Sequence, residues 1–352
     1  MNQTRILLTG GGTGGSVAPL LAIAEEFGDK NYQFLFLGAS NGPEKEMVES
    51  AGLKFKKISA GKLRRYFSLR NFFDPIFIII GFWQAIFFIL KFRPRWIVTA
   101  GSFVSVPVVW AGWLLRRKIL VHQQDVRPGL ANKLMAPFAK IITVTFEKSL
   151  NDYGKKARWI GNPVRAQIKS FDKKNTTNFF QLKNDLPTVL VMGGGTGAQF
   201  INDLVGESLV DLTKFSQIIH VTGKDKKPKN IPTSVSNYYA YNFLDINKLI
   251  EAYTKSAIVI SRCGLSTLSE LSFIKKPSIL IAMPGTHQVD NARVFEEYSA
   301  AIVLDQPVLD KTFFVNNIRE LLSDQKLQIQ LGNNIEKVIK KNAMAEFKKI
   351  IK

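Results

Sequence analysis

Two stretches of this chain repeat one another: ILLTGGGTGGS from Ile6 to Ser16 and VLVMGGGTGAQ from Val189 to Gln199. Each is an apolar run of strand length, then a glycine-rich turn, then the start of a helix. Those parts in that order open a nucleotide-binding α/β unit, a parallel sheet wound with helices on both faces. Meeting them twice predicts two similar doubly wound domains facing across a cleft, and 352 residues suit two domains of ordinary size.

Between and after the repeats, short apolar runs alternate with helical stretches. Buried parallel strands read as continuous apolar runs. Phe34–Leu37, Trp96–Thr99, Ile119–Val121 and Ile141–Val144 make one series, and Val189–Met192, Ile218–Val221, Ile258–Ile260 and Ser278–Ile281 a second. Gly161-Asn162-Pro163 reads as a hinge, and the polar stretch around Lys173-Lys174-Asn175-Thr176-Thr177 as a linker. The expected division is an N-terminal domain over 1–163, a C-terminal domain over 164–335, and a last helix over 336–352 packing back on the N-terminal domain.

Hydrophobic residues at 46% and charged residues at 22% give each half a core of its own. A single cysteine, Cys263, excludes an internal disulfide framework and fits a reducing, cytosolic compartment. Met1 leads through Arg5 into Ile6-Leu7-Leu8 and then glycines, which is no signal-peptide core. The formal net charge of +20 calls for an anionic partner. The basic residues are spread along the chain without a recognition helix, zinc finger or RNA-binding signature, so no nucleic acid is expected.

An acidic membrane leaflet matches better. Pro75 to Leu90 reads PIFIIIGFWQAIFFIL, with Gln84 its only strongly polar residue. Lys62, Arg64, Arg65 and Arg70 precede it, and Lys91, Arg93 and Arg95 follow. A membrane span needs about 20 apolar residues, and this run is shorter, with Asp74 at its edge. An interfacial segment, a buried helix and a span are all open. Aromatics mixed with aliphatics and bordered by cations favour the first, with residues 62–95 lying on an anionic inner leaflet.

Glycines in such turns let the backbone approach a ligand, and the helix start behind them favours an anion. Gly10, Gly12 and Gly15 satisfy G-x-G-x-x-G, so a dinucleotide is considered. That fingerprint needs an acid closing the second strand, which here ends Leu37-Gly38-Ala39-Ser40. Neither glycine run continues into Gly-Lys-Ser/Thr, which excludes a Walker loop. Asp-X-Asp does not occur, and His122, His220 and His287 are dispersed, so no metal site or cofactor is expected; His220, in a strand-like run, reads as structural. A departing phosphate would then be stabilised by arginines and helix dipoles.

Six motifs in order carry a resemblance: GGTGGSVAPLLAIA near the start, HQQD at His122–Asp125, GNPVR at Gly161–Arg165, GGGTGA at Gly193–Ala198, SRCGLSTLSE at Ser261–Glu270 and HQVDNA at His287–Ala292. Over nearly its whole length the chain resembles the MurG family, the glycosyltransferase family 28 enzymes that add N-acetylglucosamine to undecaprenyl-pyrophosphoryl-MurNAc-pentapeptide, converting lipid I to lipid II. The resemblance implies a GT-B fold and an inverting, metal-independent hexosyltransferase peripheral to the cytoplasmic face of the cell membrane. The donor UDP-GlcNAc would sit on the C-terminal domain, and lipid I with the membrane patch on the N-terminal one.

By the same resemblance, Glu270 would accept from the ribose hydroxyls, and Leu265, Ser266, Thr267, Leu268 and Ser269 would open a helix onto the diphosphate. Arg165 would offset the charge of the leaving UDP, beside Gly195 and Thr196. Phe243 and Leu244 would border the uracil, and Gln288 would bond the sugar hydroxyls. Thr13, Gly14 and Gly15 would face the acceptor pyrophosphate and the transferred sugar. Plainer readings stand beside these: a helix-start carboxylate at Glu270, a salt-bridge partner at Arg262, a helix-shaping Pro19, and packing or interfacial roles for Trp110 and Trp113.

The chain also departs from the family. Ser16 stands where most relatives have histidine, the family's HEQN is His122-Gln123-Gln124-Asp125, and Gly195 replaces a serine. Serine at its ordinary pKa is no general base alone. Asp125, directly or through water or Ser16, is the expected base, against the alternative that it only orients the sugar. A related transferase for another glycolipid and a catalytically silent sugar-nucleotide-binding scaffold complete the functional readings.

Overall fold

The computed structural model describes residues 3–28, 31–39, 42, 44–61, 70–169, 179–194, 197–229, 231 and 235–352. The chain divides into two compact units, Met1–Ala166 with Lys340–Lys352, and Gln167–Ile339. The expected basic residues Lys62, Arg64 and Arg65 and the linker at 173–177 lie outside the described residues, as do Gly195 and Thr196.

In the first unit the strands are β1 (Thr4–Thr9), β2 (Tyr32–Gly38), β3 (Phe55–Lys57), β4 (Trp96–Thr99), β5 (Lys118–Gln123), β6 (Ile141–Val144) and β7 (Ala157–Trp159). Between them come α1 (Gly14–Glu26), α2 (Glu44–Ser50), α3 (Arg70–Phe92), α4 (Ser105–Leu114) and α5 (Leu130–Met135), and α6 (Ala166–Lys169) leads out of the unit into the second. The second unit holds β8 (Thr188–Met192), β9 (Gln217–Val221), β10 (Tyr238–Tyr241), β11 (Ile258–Ser261), β12 (Ser278–Ile281) and β13 (Ile302–Leu304). Its helices are α7 (Gln199–Leu212), α8 (Ile246–Lys255), α9 (Leu265–Ile274), α10 (Gln288–Glu297), α11 (Lys311–Ser323) and α12 (Gln325–Val338), and α13 (Ala343–Ile351) returns to the first unit.

Every described strand pair is parallel. The first sheet runs β3-β2-β1-β4-β5-β6-β7 and the second β10-β9-β8-β11-β12-β13. In both, strand order reverses beside the strand that leads into a glycine-rich turn, at β1/β4 and at β8/β11. Doubly wound sheets bind ligands at the carboxyl ends of the strands beside such a reversal.

Side chains alternate across each strand. Ile6 and Leu8 of β1 pack with Val17, Leu20 and Ile23 of α1 and with Met344, Phe347, Ile350 and Ile351 of α13. Leu7 points the other way, into a core with Ile97 and Ile119 and with Ala85 and Ile89 of α3. The last helix is also tied by Trp96, whose Nε1 donates to the Ile351 carbonyl at 3.0 Å. Where the chain leaves and re-enters this unit, Gly161 has φ 83° and any Cβ there would overlap the Lys340 carbonyl, so only glycine fits.

The run from Pro75 to Leu90 lies within the single helix α3. One stripe of it is bolted down: Gly81 leaves no room for a Cβ against the Ser59 carbonyl, Gln84 Oε1 accepts from the Ser59 N–H at 2.7 Å, and Ala85 and Ile89 are buried. The remaining surface is apolar and open, with Ile79 58%, Trp83 64% and Phe87 58% exposed. Residues Asp74–Phe92 are long and apolar enough to cross a membrane, by length and composition only. Of the two tryptophans on α4, Trp110 is half-buried and donates to the Leu134 carbonyl, while Trp113 is 55% exposed.

Candidate active site

The first glycine-rich turn follows β1 and leads into α1. Ser16 is turned into this turn: its Oγ accepts from the Gly11 N–H at 3.2 Å and lies 3.0 Å from the Gly11 carbonyl and 3.2 Å from that of Thr13. The hydroxyl braces the loop backbone, so a proton relay through it would first break these bonds. A second brace was not anticipated. Glu44, fully buried at the start of α2, accepts from the Gly12 N–H at 3.2 Å through Oε2, while Oε1 has no hydrogen-bond partner among the described residues. The carboxylate fills the space a Cβ would need at Gly11, where φ is 157°, and at Gly42. A lone Glu at a helix start carries no sequence signal of a contact 32 residues back.

At the end of β5 the HQQD residues form a bonded hub. His122 is fully buried, and burial lowers its pKa from 6.5 to about 4, so the ring is neutral. It donates from Nε2 to Asn162 Oδ1 at 2.8 Å and accepts at Nδ1 from the Thr143 hydroxyl at 3.0 Å. His122 thereby links the loop of Asp125 to the GNPVR segment that carries Arg165. Gln123 donates to the Asp125 carbonyl at 2.7 Å and the Arg127 carbonyl at 3.0 Å. Its oxygen accepts from Tyr153 at 2.9 Å and from the Asn132 amide. Asp125 and Arg165 are both half-buried.

In the second unit, the described part of the second glycine-rich turn shows Gly194 at φ 80° and Gly197 at φ 71°, with a Cβ at Gly197 excluded by the Thr222 carbonyl. After β11, α9 begins at Leu265 behind Gly264, and its first-turn amides lack partners within the helix. Ser266 is half-buried, Thr267 and Leu268 are buried, and Ser269 bonds the Leu265 carbonyl at 2.6 Å. Glu270 is 6% exposed, and Tyr253 donates to its Oε2 at 2.9 Å. Tyr253 is fully buried in α8 and is a second residue that no motif announced.

Five further residues complete the second unit's candidates. Among the described residues, Arg262 is held by backbone carbonyls and not by a carboxylate: its Nη1 donates to the Ile281 and Ala282 carbonyls at 3.1 and 3.0 Å, clamping the ends of β11 and β12. Phe243 is 78% exposed and Leu244 is buried, both in the loop after β10. Gln288 opens α10 after β12, half-buried, accepting from the Met283 N–H at 3.2 Å. His220 is buried between Tyr238 and Asn202 at 3.0 and 3.1 Å, its pKa lowered by burial to about 4, which is a structural role.

The glycosyltransferase family 28 N-terminal domain matches residues 6–144, and the family 28 C-terminal domain matches residues 188–351. A Clostridium kluyveri protein named UDP-N-acetylglucosamine–N-acetylmuramyl-(pentapeptide) pyrophosphoryl-undecaprenol N-acetylglucosamine transferase is 34% identical, covering 90% of this chain and 91% of its own. A Clostridium botulinum protein of the same name is 32% identical over 99% of this chain and 98% of its own. Among solved structures, Acinetobacter baumannii MurG superposes with TM-score 0.75 at 18% identity, covering 99% of both chains.

Proposed function

The chain belongs to glycosyltransferase family 28, and from that footing we propose that it transfers N-acetylglucosamine from UDP-GlcNAc to undecaprenyl-pyrophosphoryl-MurNAc-pentapeptide, yielding lipid II and UDP. The observation that carries the reading to a site is the pairing of a buried, tyrosine-held carboxylate, Glu270, with the start of α9 at the carboxyl end of β11. Those are parts suited to a ribose diol and a diphosphate. Phe243 and Leu244 would flank the base, Gln288 would bond the sugar, and Gly195 and Thr196 would lie along the phosphates. Thr13, Gly14 and Gly15 would meet the acceptor.

In the inverting step an acceptor hydroxyl oxygen attacks the anomeric carbon as the bond to UDP breaks. Asp125 takes the hydroxyl proton, and Arg165 with the α9 amides stabilises the charge gathering on the diphosphate. Ser16 serves the loop rather than the proton. The open apolar face of α3 supports binding at the cytoplasmic surface of the membrane: a helix bolted along one stripe to its own domain lies on a bilayer rather than crossing it.

The test is UDP release from UDP-GlcNAc in the presence and absence of lipid I. Release should require lipid I, and Asp125→Asn should slow it by about 10²–10⁴. Release that ignores the acceptor, or that occurs only with another glycolipid, would overturn the assignment.

A further inference from the structure

A cavity of about 730 Å³ opens in the first unit between the segment that follows β5 and the turns at 147–156. Arg127, Lys133 and Lys156 supply three cations to its lining and Asp152 one carboxylate. Lys156 is fixed at the rim, with Nζ donating to the Pro137 carbonyl at 2.9 Å. On the inner side Tyr153 donates to Gln123, and Gln123 holds the carbonyls of Asp125 and Arg127. The cavity therefore shares a wall with the loop carrying Asp125, and Arg127 reaches it from that loop. The transfer chemistry leaves its four charged residues without a role.

We propose that this cavity receives the free carboxylate end of the acceptor's peptide, with Arg127 and Lys133 pairing with the carboxylate and Asp152 facing an amino group on the same peptide. The proposal rests on the muramyl-peptide reading of the acceptor. The volume is that of a site for a small organic ligand, larger than a single phosphate requires. The charges are mixed: a carboxylate in the lining repels a dense diphosphate or an anionic headgroup, whereas a ligand carrying both signs meets a partner for each. Burial raises the carboxyl of Asp152, and Lys133 and Arg127 pull it back, so all three groups act on one region of space.

The experiment uses the full-length protein with short-chain, water-soluble lipid I analogues, which take the bilayer out of the comparison. One analogue carries the free peptide, and a second has its carboxylates amidated. The wild type should favour the free peptide in kcat/KM by about tenfold, mostly through KM. Arg127→Gln/Lys133→Gln should shrink that ratio towards one, and Arg127→Lys/Lys133→Arg should restore it. A wild-type ratio near one, or a double variant that slows both analogues equally, would overturn the proposal. So would a ratio untouched by the substitutions while binding to anionic vesicles is lost, which would assign the cations to lipid headgroups. If neither analogue is glycosylated, the acceptor assignment itself has failed, a result distinct from equal turnover of both.

Discussion

Gln123 donates to two backbone carbonyls and accepts from Tyr153 and Asn132, so both ends of its amide are used. A carboxylate at this position would set an acceptor against the Asp125 and Arg127 carbonyls and take away their donor, a loss of at most about 1 kcal/mol for each of these partly solvated groups. The same electron count with the opposite polarity thus breaks the loop. Gln123→Glu should lower kcat for transfer at least about tenfold with little change in the KM for UDP-GlcNAc; an unchanged kcat would contradict the hub. The residues at 123 and 125 were visible in the chain as departures from a motif. What the amide does was not, because Tyr153 and Asn132 approach it from 30 and 9 residues away. Glu44 and Tyr253 escaped for the same reason. Each acts through a long-range contact, and no periodicity or spacing encodes one.

Elements were easier to read than contacts. The repeated strand and glycine turn located β1 and β8, and thereby both strand-order reversals, because a glycine-rich turn at the end of a buried strand has few other uses. All eight apolar runs are strands. Those not foreseen, β3, β7, β10 and β13, are edge strands of three or four residues, too short to stand out, and β3 and β7 are of mixed polarity besides. The run at 75–90 shows the limit of composition. Its residues are apolar on every side, and only Gly81 and Gln84, small and polar among large aliphatics, mark the stripe that touches the domain. Trp83→Glu/Phe87→Glu on the open side should release the protein from anionic vesicles in a flotation assay while the thermal midpoint stays within a few degrees. Co-flotation of that variant at the wild-type level would remove α3 as the membrane-binding element.

Across the whole molecule, each unit buries one neutral histidine, His122 in the first and His220 in the second, both lowered from 6.5 to about 4. The unfolded chain takes up a proton at each as pH falls below its ordinary value, and the folded chain does not until much lower. Stability is therefore fully present above pH 6.5 and is lost as pH falls towards 4. Between about pH 7.5 and about pH 5.5 each histidine should remove about 1 kcal/mol from its unit. Urea midpoints that do not fall over this interval would contradict the buried, neutral state.

The proposed transfer requires the second unit to hold a uridine diphosphate sugar at Glu270 and the start of α9. Calorimetric titration of UDP-GlcNAc into the protein, with a chelator present, measures that directly. Saturable binding is predicted, weakened by about 10–100-fold in Glu270→Ala and less in Tyr253→Phe, which loses the bond that orients the carboxylate. No saturable heat with the wild type, or equal affinity in Glu270→Ala, would contradict it.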